Sequence, residues 1–215
     1  MIGHVIRAVL LLAVLTACNI GNRQAEGDGV TRIVTDRIRA GLGGSEDATP
    51  PATVAQVRAA LTPEVRAALT APTLLVQVEG TGGVSLPQRI TVNGATETYL
   101  TEDDSTLAFR DGMLVGTRGI GFDLMAADVA EASAAIRAGR TTRITRTMSW
   151  LDGTGAIVRR GFTCGIHPAG DRITETCNAI GLAFENDYVV RGGNIVASRQ
   201  WSGPVQGHIR IERVN

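Results

Sequence analysis

A mainly β fold, an antiparallel barrel-like or sandwich domain with a few short and mostly N-terminal helices, is the architecture this sequence predicts. Three observations carry that expectation. Beyond Pro72, at least six strand-length segments follow one another with apolar residues at alternate positions. They are separated by Asn-Gly, Asp-Gly and Gly-Gly-Asn dipeptides and tripeptides, whose residues adopt the positive φ of tight hairpin turns at little cost. A single helical period interrupts the run, too little for the alternating βαβ order of a parallel sheet.

The first element is a targeting segment. His4 and Arg7 precede Ala8 to Leu15, a stretch without charge and too short to span a bilayer, and then comes Thr16-Ala17-Cys18. Residues 1–17 therefore read as a signal peptide. An ordinary secretory signal needs no thiol, whereas Leu15-Thr16-Ala17-Cys18 has the form of a lipobox. In that chemistry the Cys18 sulfur takes a diacylglyceryl group and Cys18 becomes the first residue of the mature chain. The alternative is an ordinary signal peptide with a chance cysteine. Several acyl chains, at about 0.8 kcal/mol per buried methylene, make such an anchor effectively permanent. Asn19 follows, not the aspartate that often retains lipoproteins in the inner membrane, so the expected location is the periplasmic side of the outer membrane.

Residues 18–29 are polar and glycine-containing and read as a lipidated tether. Residues 30–72 form a helical N-terminal region. Val30, Ile33, Val34 and Ile38 recur at three and four, and a Gly/Ser/Pro-rich linker spans 43–51. Val54, Val57, Ala60 and Leu61 then mark one helix, and Thr62 caps a second that opens on Pro63.

Residues 73–215 are the β-rich domain. Thr73 to Glu79 is a strand; Arg89 to Val92 and Glu97 to Leu100 pair around Asn93-Gly94; Leu107 to Arg110 and Met113 to Thr117 pair around Asp111-Gly112. A helix follows Gly121, with Asp123 as its expected cap, Val129, Ala132 and Ile136 as its buried stripe, and Gly139 at its end. Ile144, Met148 and Trp150 share one face of the next strand, and Val158, Phe162 and Cys164 alternate on the return. Pro168 to Asp171 turns the chain into Arg172 to Cys177. The last strands are Gly181 to Glu185, Tyr188 to Val190, Ile195 to Trp201 and Gly207 to Val214.

Cys164 and Cys177 fall on neighbouring strands of an exported chain, where thiols oxidise, so a disulfide is expected. Closing a loop of about fourteen residues stabilises a fold by about 3 kcal/mol in the chain-entropy model. No cluster of further ligands accompanies them, so no metal and no cofactor is expected.

Charge excludes one class of partner. The 21 basic residues, all arginine, balance 21 acidic ones, which recruits no nucleic acid. Glu102-Asp103-Asp104 is the obvious acidic cluster for sugar hydrolysis, but consecutive acids point in different directions and read as a solvated loop. Asp123 and Asp128 read as caps, and His167 and His208 adjoin no nucleophile motif, so no catalytic set is assigned. Trp150, Arg199 and Trp201 are the candidate ligand-binding residues, because aromatic faces and planar polar groups hold sugar rings. In a chain with 4% aromatics the tryptophans are also natural core anchors. Alternation places Arg199 and Trp201 on one face and Gln200 on the other.

Three segments together carry a resemblance: Phe109-Arg110-Asp111-Gly112-Met113-Leu114-Val115-Gly116-Thr117-Arg118-Gly119-Ile120-Gly121 running into Asp123-Leu124-Met125, the Cys164 to Cys177 module, and Ser198-Arg199-Gln200-Trp201-Ser202-Gly203-Pro204. They resemble the YjbF lipoproteins, the family that includes the capsule-locus lipoprotein GfcB, from about Leu74 to Arg213. The resemblance implies a mostly β periplasmic domain on a lipid anchor and a non-enzymatic accessory role in exopolysaccharide or capsule assembly and export. Its partners would be the membrane, the polysaccharide or the export proteins. A polysaccharide-modifying enzyme and a structural envelope module that binds proteins remain the alternatives. The sequence specifies no oligomeric state.

Overall fold

The computed structural model describes residues 52–215. The signal peptide, Cys18, the tether and the helical period at residues 30–38 thus lie outside the described residues. Two short helices lead, α1 (Val54–Ala60) and α2 (Pro63–Ala67). Thr53 and Gln56 close a reciprocal capping box on α1, and Thr62 accepts from the Val65 amide above Pro63 on α2.

The strands follow in two groups. A four-stranded meander holds β3 (Gln88–Asn93), β4 (Thr96–Leu100), β5 (Thr106–Arg110) and β6 (Met113–Arg118). The large sheet holds β1 (Leu74–Val78), β2 (Val84–Ser85), β7 (Leu124–Ala127), β8 (Thr142–Leu151), β9 (Ile157–Ala169), β10 (Arg172–Ala179), β11 (Leu182–Arg191), β12 (Asn194–Gly203) and β13 (Gly207–Arg213), with α3 (Ala130–Arg137) between β7 and β8. Its order is β2-β1-β13-β12-β11-β10-β9-β8-β7, antiparallel throughout, and it curls into a half-barrel.

Alternation sorts the side chains of the large sheet between two faces. On the inner face Val76, Met148, Phe162, Ile166, Ile173, Phe184 and Ile209 pack with Tyr99, Leu107, Phe109, Met113 and Leu114 of the meander and with Val129, Ala132 and Ile136 around α3. Each such side chain contributes about 1.5–3 kcal/mol on burial. On the outer face at the β1/β13 end, Leu75, Leu86 and Val214 receive Val57, Leu61 and Val65 of α1 and α2. Arg66 donates to the Val214 carbonyl at 2.8 Å, so the helices and the β region share one packed body.

The β5–β6 turn fits its sequence. Asp111 and Gly112 both have positive φ, and a Cβ on Gly112 would lie 2.8 Å from the Ile195 Cβ. The disulfide is formed: Cys164 and Cys177 stand directly opposite in the β9–β10 register and are fully buried.

Three local expectations change. The first hairpin turns on Gly94 and Ala95, since Asn93 still pairs with Thr96. Strand β11 runs unbroken through Asn186 and Asp187, because the buried Asn186 is fully hydrogen-bonded inside and needs no exit to solvent. A short strand, β7, precedes α3, so Asp123 cannot cap that helix. Its carboxylate instead takes the Gly119 and Ile120 amides and the Thr117 hydroxyl, closing the glycine loop after β6. The Ala130 amide donates to Asp128 at 3.3 Å, but Val129 holds the N-cap position and no side chain caps it, so Asp128 does not serve as the expected cap either.

Candidate functional site

The polar residues of the large sheet gather in two places. The first is buried. Arg146 on β8 and Glu175 on β10 are 3% and 0% exposed, and one guanidinium nitrogen spans both carboxylate oxygens at 3.0 and 2.8 Å. The carboxylate also accepts from Asn186 at 2.8 Å and from the Tyr188 hydroxyl at 2.9 Å, and the Asn186 carbonyl oxygen accepts the Trp201 amide at 2.7 Å. Arg146 further holds the Asp128 carbonyl at the approach to α3. Burial, with the Glu175 charge adding to it, pushes the Tyr188 hydroxyl well above its usual range. Burial works against the Arg146 charge, and the Glu175 carboxylate more than restores it. The network ties β8, β10, β11 and β12 together, and among the described residues every buried side-chain polar atom has a partner. Glu175 lies near both cysteine sulfurs, but these are joined to each other and offer no thiolate to a metal.

The second gathering is open. A groove of about 660 Å³ crosses the outer face of the large sheet, with Val54 and Arg58 of α1 at one side. The strand register lays one polar row along it, since Gln77, Arg210, Arg199, Asp187 and Thr174 are successive cross-strand neighbours on β1, β13, β12, β11 and β10. At roughly 4.8 Å per strand the row is about 19 Å long. Beside it runs a second row, Glu212, Ala197, Val189 and Arg172, whose middle is small and apolar. Glu79 organises one flank: Arg199 grips it with both ends of its guanidinium at 2.8 and 2.7 Å, and Arg210 adds a contact at 2.7 Å. The Arg199 hydrogen bond holds the Glu79 carboxyl below its usual value against the effect of burial. Arg58 pairs with Glu212 at 2.7 Å, while the exposed Arg172 guanidinium has no partner among the described residues.

The three ligand candidates do not share a surface. Arg199 lines the groove. Trp150 and Trp201 are buried in the core, where Trp201 stacks on Phe184 at 4.5 Å and meets Trp150 and Phe162 edge-on. Trp201 departs from the alternation that put it on the Arg199 face, because the β11–β12 pairing ends at Asp187 and Arg199, ahead of it. The Trp201 amide turns to the Asn186 side chain, and Gln200, Trp201, Ser202 and Gly203 are buried in succession. Gln200 crosses to the meander, accepting from the Leu114 amide and donating to the Gly112 carbonyl. Glu102, Asp103 and Asp104 sit on the exposed β4–β5 turn, where the Thr101 hydroxyl bonds Asp103 and lowers its pKa.

Sequence reading missed both gatherings, though each left a trace. Arg146 shares strand parity with Ile144, Met148 and Trp150, and Glu175 shares it with Ile173 and Cys177, so each is a charge on an apolar face. The outward residues of the groove follow parity too, but their lateral alignment depends on pairing partners far apart in the chain.

A hypothetical lipoprotein, YmcC from Escherichia coli K12, has a solved structure that superposes with a TM-score of 0.63 at 15% identity, covering 78% of this chain and 98% of that one; this likeness concerns the fold alone. No curated protein matches the sequence. The family described as group 4 capsule polysaccharide lipoprotein GfcB, YjbF, matches residues 46–214, a span that takes in α1, α2 and every strand. The chain belongs to the YjbF family of capsule polysaccharide lipoproteins.

Proposed function

We propose that this protein is a non-enzymatic accessory lipoprotein of capsule or exopolysaccharide assembly and export, held by acylated Cys18 on the periplasmic side of the outer membrane. The observation that supports it best is the outer-face groove. An extended polar row beside a strip of small apolar residues suits a linear polymer, whose sugar rings present hydroxyls on their edges and C–H groups on their faces. Polar and ionic contacts carry the recognition there, since both tryptophans are committed to the core.

The purified protein is titrated with polysaccharide from its own locus. Arg172→Ala weakens binding about tenfold, the worth of one charged hydrogen bond, and leaves folding unchanged because Arg172 holds nothing else. Polymer length after prolonged incubation stays constant. Shortened polymer, with the shortening abolished by Asp103→Asn or Asp123→Asn, establishes an enzyme instead. Unchanged surface polysaccharide in a deletion strain under inducing conditions refutes the role.

A further inference from the structure

The antiparallel order of the large sheet sends the β8–β9, β10–β11 and β12–β13 turns to one end. Each presents a large aliphatic side chain to solvent: Ile157 is 62% exposed, Ile180 fully exposed and Val205 55% exposed. The loop between β6 and β7 adds Phe122, 38% exposed, beside the same tips. It is fixed there by Gln206 of the β12–β13 turn, which donates to the Ile120 and Gly121 carbonyls, and its ring comes close to Gly153 of the β8–β9 turn. The opposite end differs, for its hairpin tips are Gly170-Asp171 and Gly192-Gly193. Exposed Ile90 and Val92 lie within β3 of the meander, but at the hairpin tips of the large sheet, where β-branched residues are poor turn formers, large aliphatic side chains recur at this end.

We infer that this end is a lipid-contacting rim, at which Ile157, Ile180, Val205 and Phe122 dip into the interface of the bilayer that carries the anchor. The occupant follows from two observations. The chain belongs to a lipoprotein family, which keeps a bilayer within reach of the domain. Two and three residues along β9 from Ile157, the exposed Arg159 and Arg160 have guanidinium groups with no partner among the described residues, placed to meet lipid phosphates. Glu79 is paired with Arg199 and Arg210, the Thr154 and Ala156 amides hold Asp152 in its charged form, and the exposed acidic turn Glu102 to Asp104 lies at the same end beside Gly119 and Ile120. Docked this way, the domain holds the outer-face groove across the membrane normal, not flat against the lipid.

The inference rests on the reading that Cys18 is acylated, so acylation is read separately from the intact mass. The full lipidated chain is reconstituted in phosphatidylethanolamine and phosphatidylglycerol vesicles containing brominated acyl chains. An environment-sensitive fluorophore is attached through Ile180→Cys or, at the opposite end, through Arg140→Cys. Bromine quenching is expected to be several-fold stronger at position 180 than at 140, and Ile157→Asp with Val205→Asp is expected to abolish the difference. Equal quenching at the two positions, or quenching at neither, overturns the inference whatever the mass shows. So does a label at 180 that is shielded only when envelope proteins are added, which would mark a protein-binding rim.

Discussion

Replacing Arg146 with methionine tests the buried network most directly. The substitution keeps an unbranched apolar stem but removes the guanidinium and its charge, stranding Glu175 as an uncompensated buried carboxylate that retains only the Asn186 and Tyr188 donors. Breaking a buried pair from one side costs about 3–5 kcal/mol. The Asp128 carbonyl also loses its donor, which adds about 1 kcal/mol. The double variant Arg146→Met with Glu175→Gln leaves no buried charge and still offers donors and acceptors to Asn186 and Tyr188, so it recovers most of the loss. Urea unfolding with the disulfide intact measures both, and the cycle is completed with Glu175→Gln alone. If Arg146→Met costs under about 1 kcal/mol, or if the double variant is as unstable as the two singles summed, the network does not hold the strands as argued.

Four further outcomes follow from the same structure. Gly112→Ala destabilises by about 1–3 kcal/mol, because it combines a positive φ with a Cβ 2.8 Å from Ile195, and thermal denaturation reads it as a lowered midpoint. Cys164→Ala with Cys177→Ala lowers stability by about 2–4 kcal/mol without changing the strand content seen by circular dichroism, since the two residues already face each other in register. Burial lowers His208 below 6.5, so the unfolded chain takes that proton first as pH falls. The contribution of neutral His208 is thus complete above about pH 6.5 and is lost below it, and His208→Gln flattens this part of the urea-midpoint profile against pH. Arg199→Ala frees Glu79 from its bidentate partner but costs under about 1 kcal/mol, because Arg210 remains and the pair is partly solvated; a larger loss in urea would contradict that reading.

Much of the fold was legible because it is local. Thr62 with Pro63, Asp111 with Gly112, and Gly139 each state a cap or a turn in two or three residues, and the structure uses them as read. The cysteine pair was legible for a related reason, since one hairpin sets its register. The failures are those of local reading at bulges and short elements. Four apolar residues at 124–127 cannot show on their own whether they begin a helix or pair with Met148 to Trp150. The end of the β11–β12 pairing at Arg199 lets Trp201 turn inward where alternation sends it outward.

By itself, the sequence determined the mainly antiparallel β class, the Asp111-Gly112 turn, the disulfide partners and the resemblance that the family match establishes, because each is written in neighbouring residues or in a motif. Tertiary structure alone decided that Arg146 and Glu175 meet inside the half-barrel, and that Gln77, Arg210, Arg199, Asp187 and Thr174 form one row. It alone decided that the apolar tips share an end. The physical reason is common to all three: parity tells which face a side chain takes, whereas its neighbours across the sheet are set by pairings between strands that can lie more than a hundred residues apart.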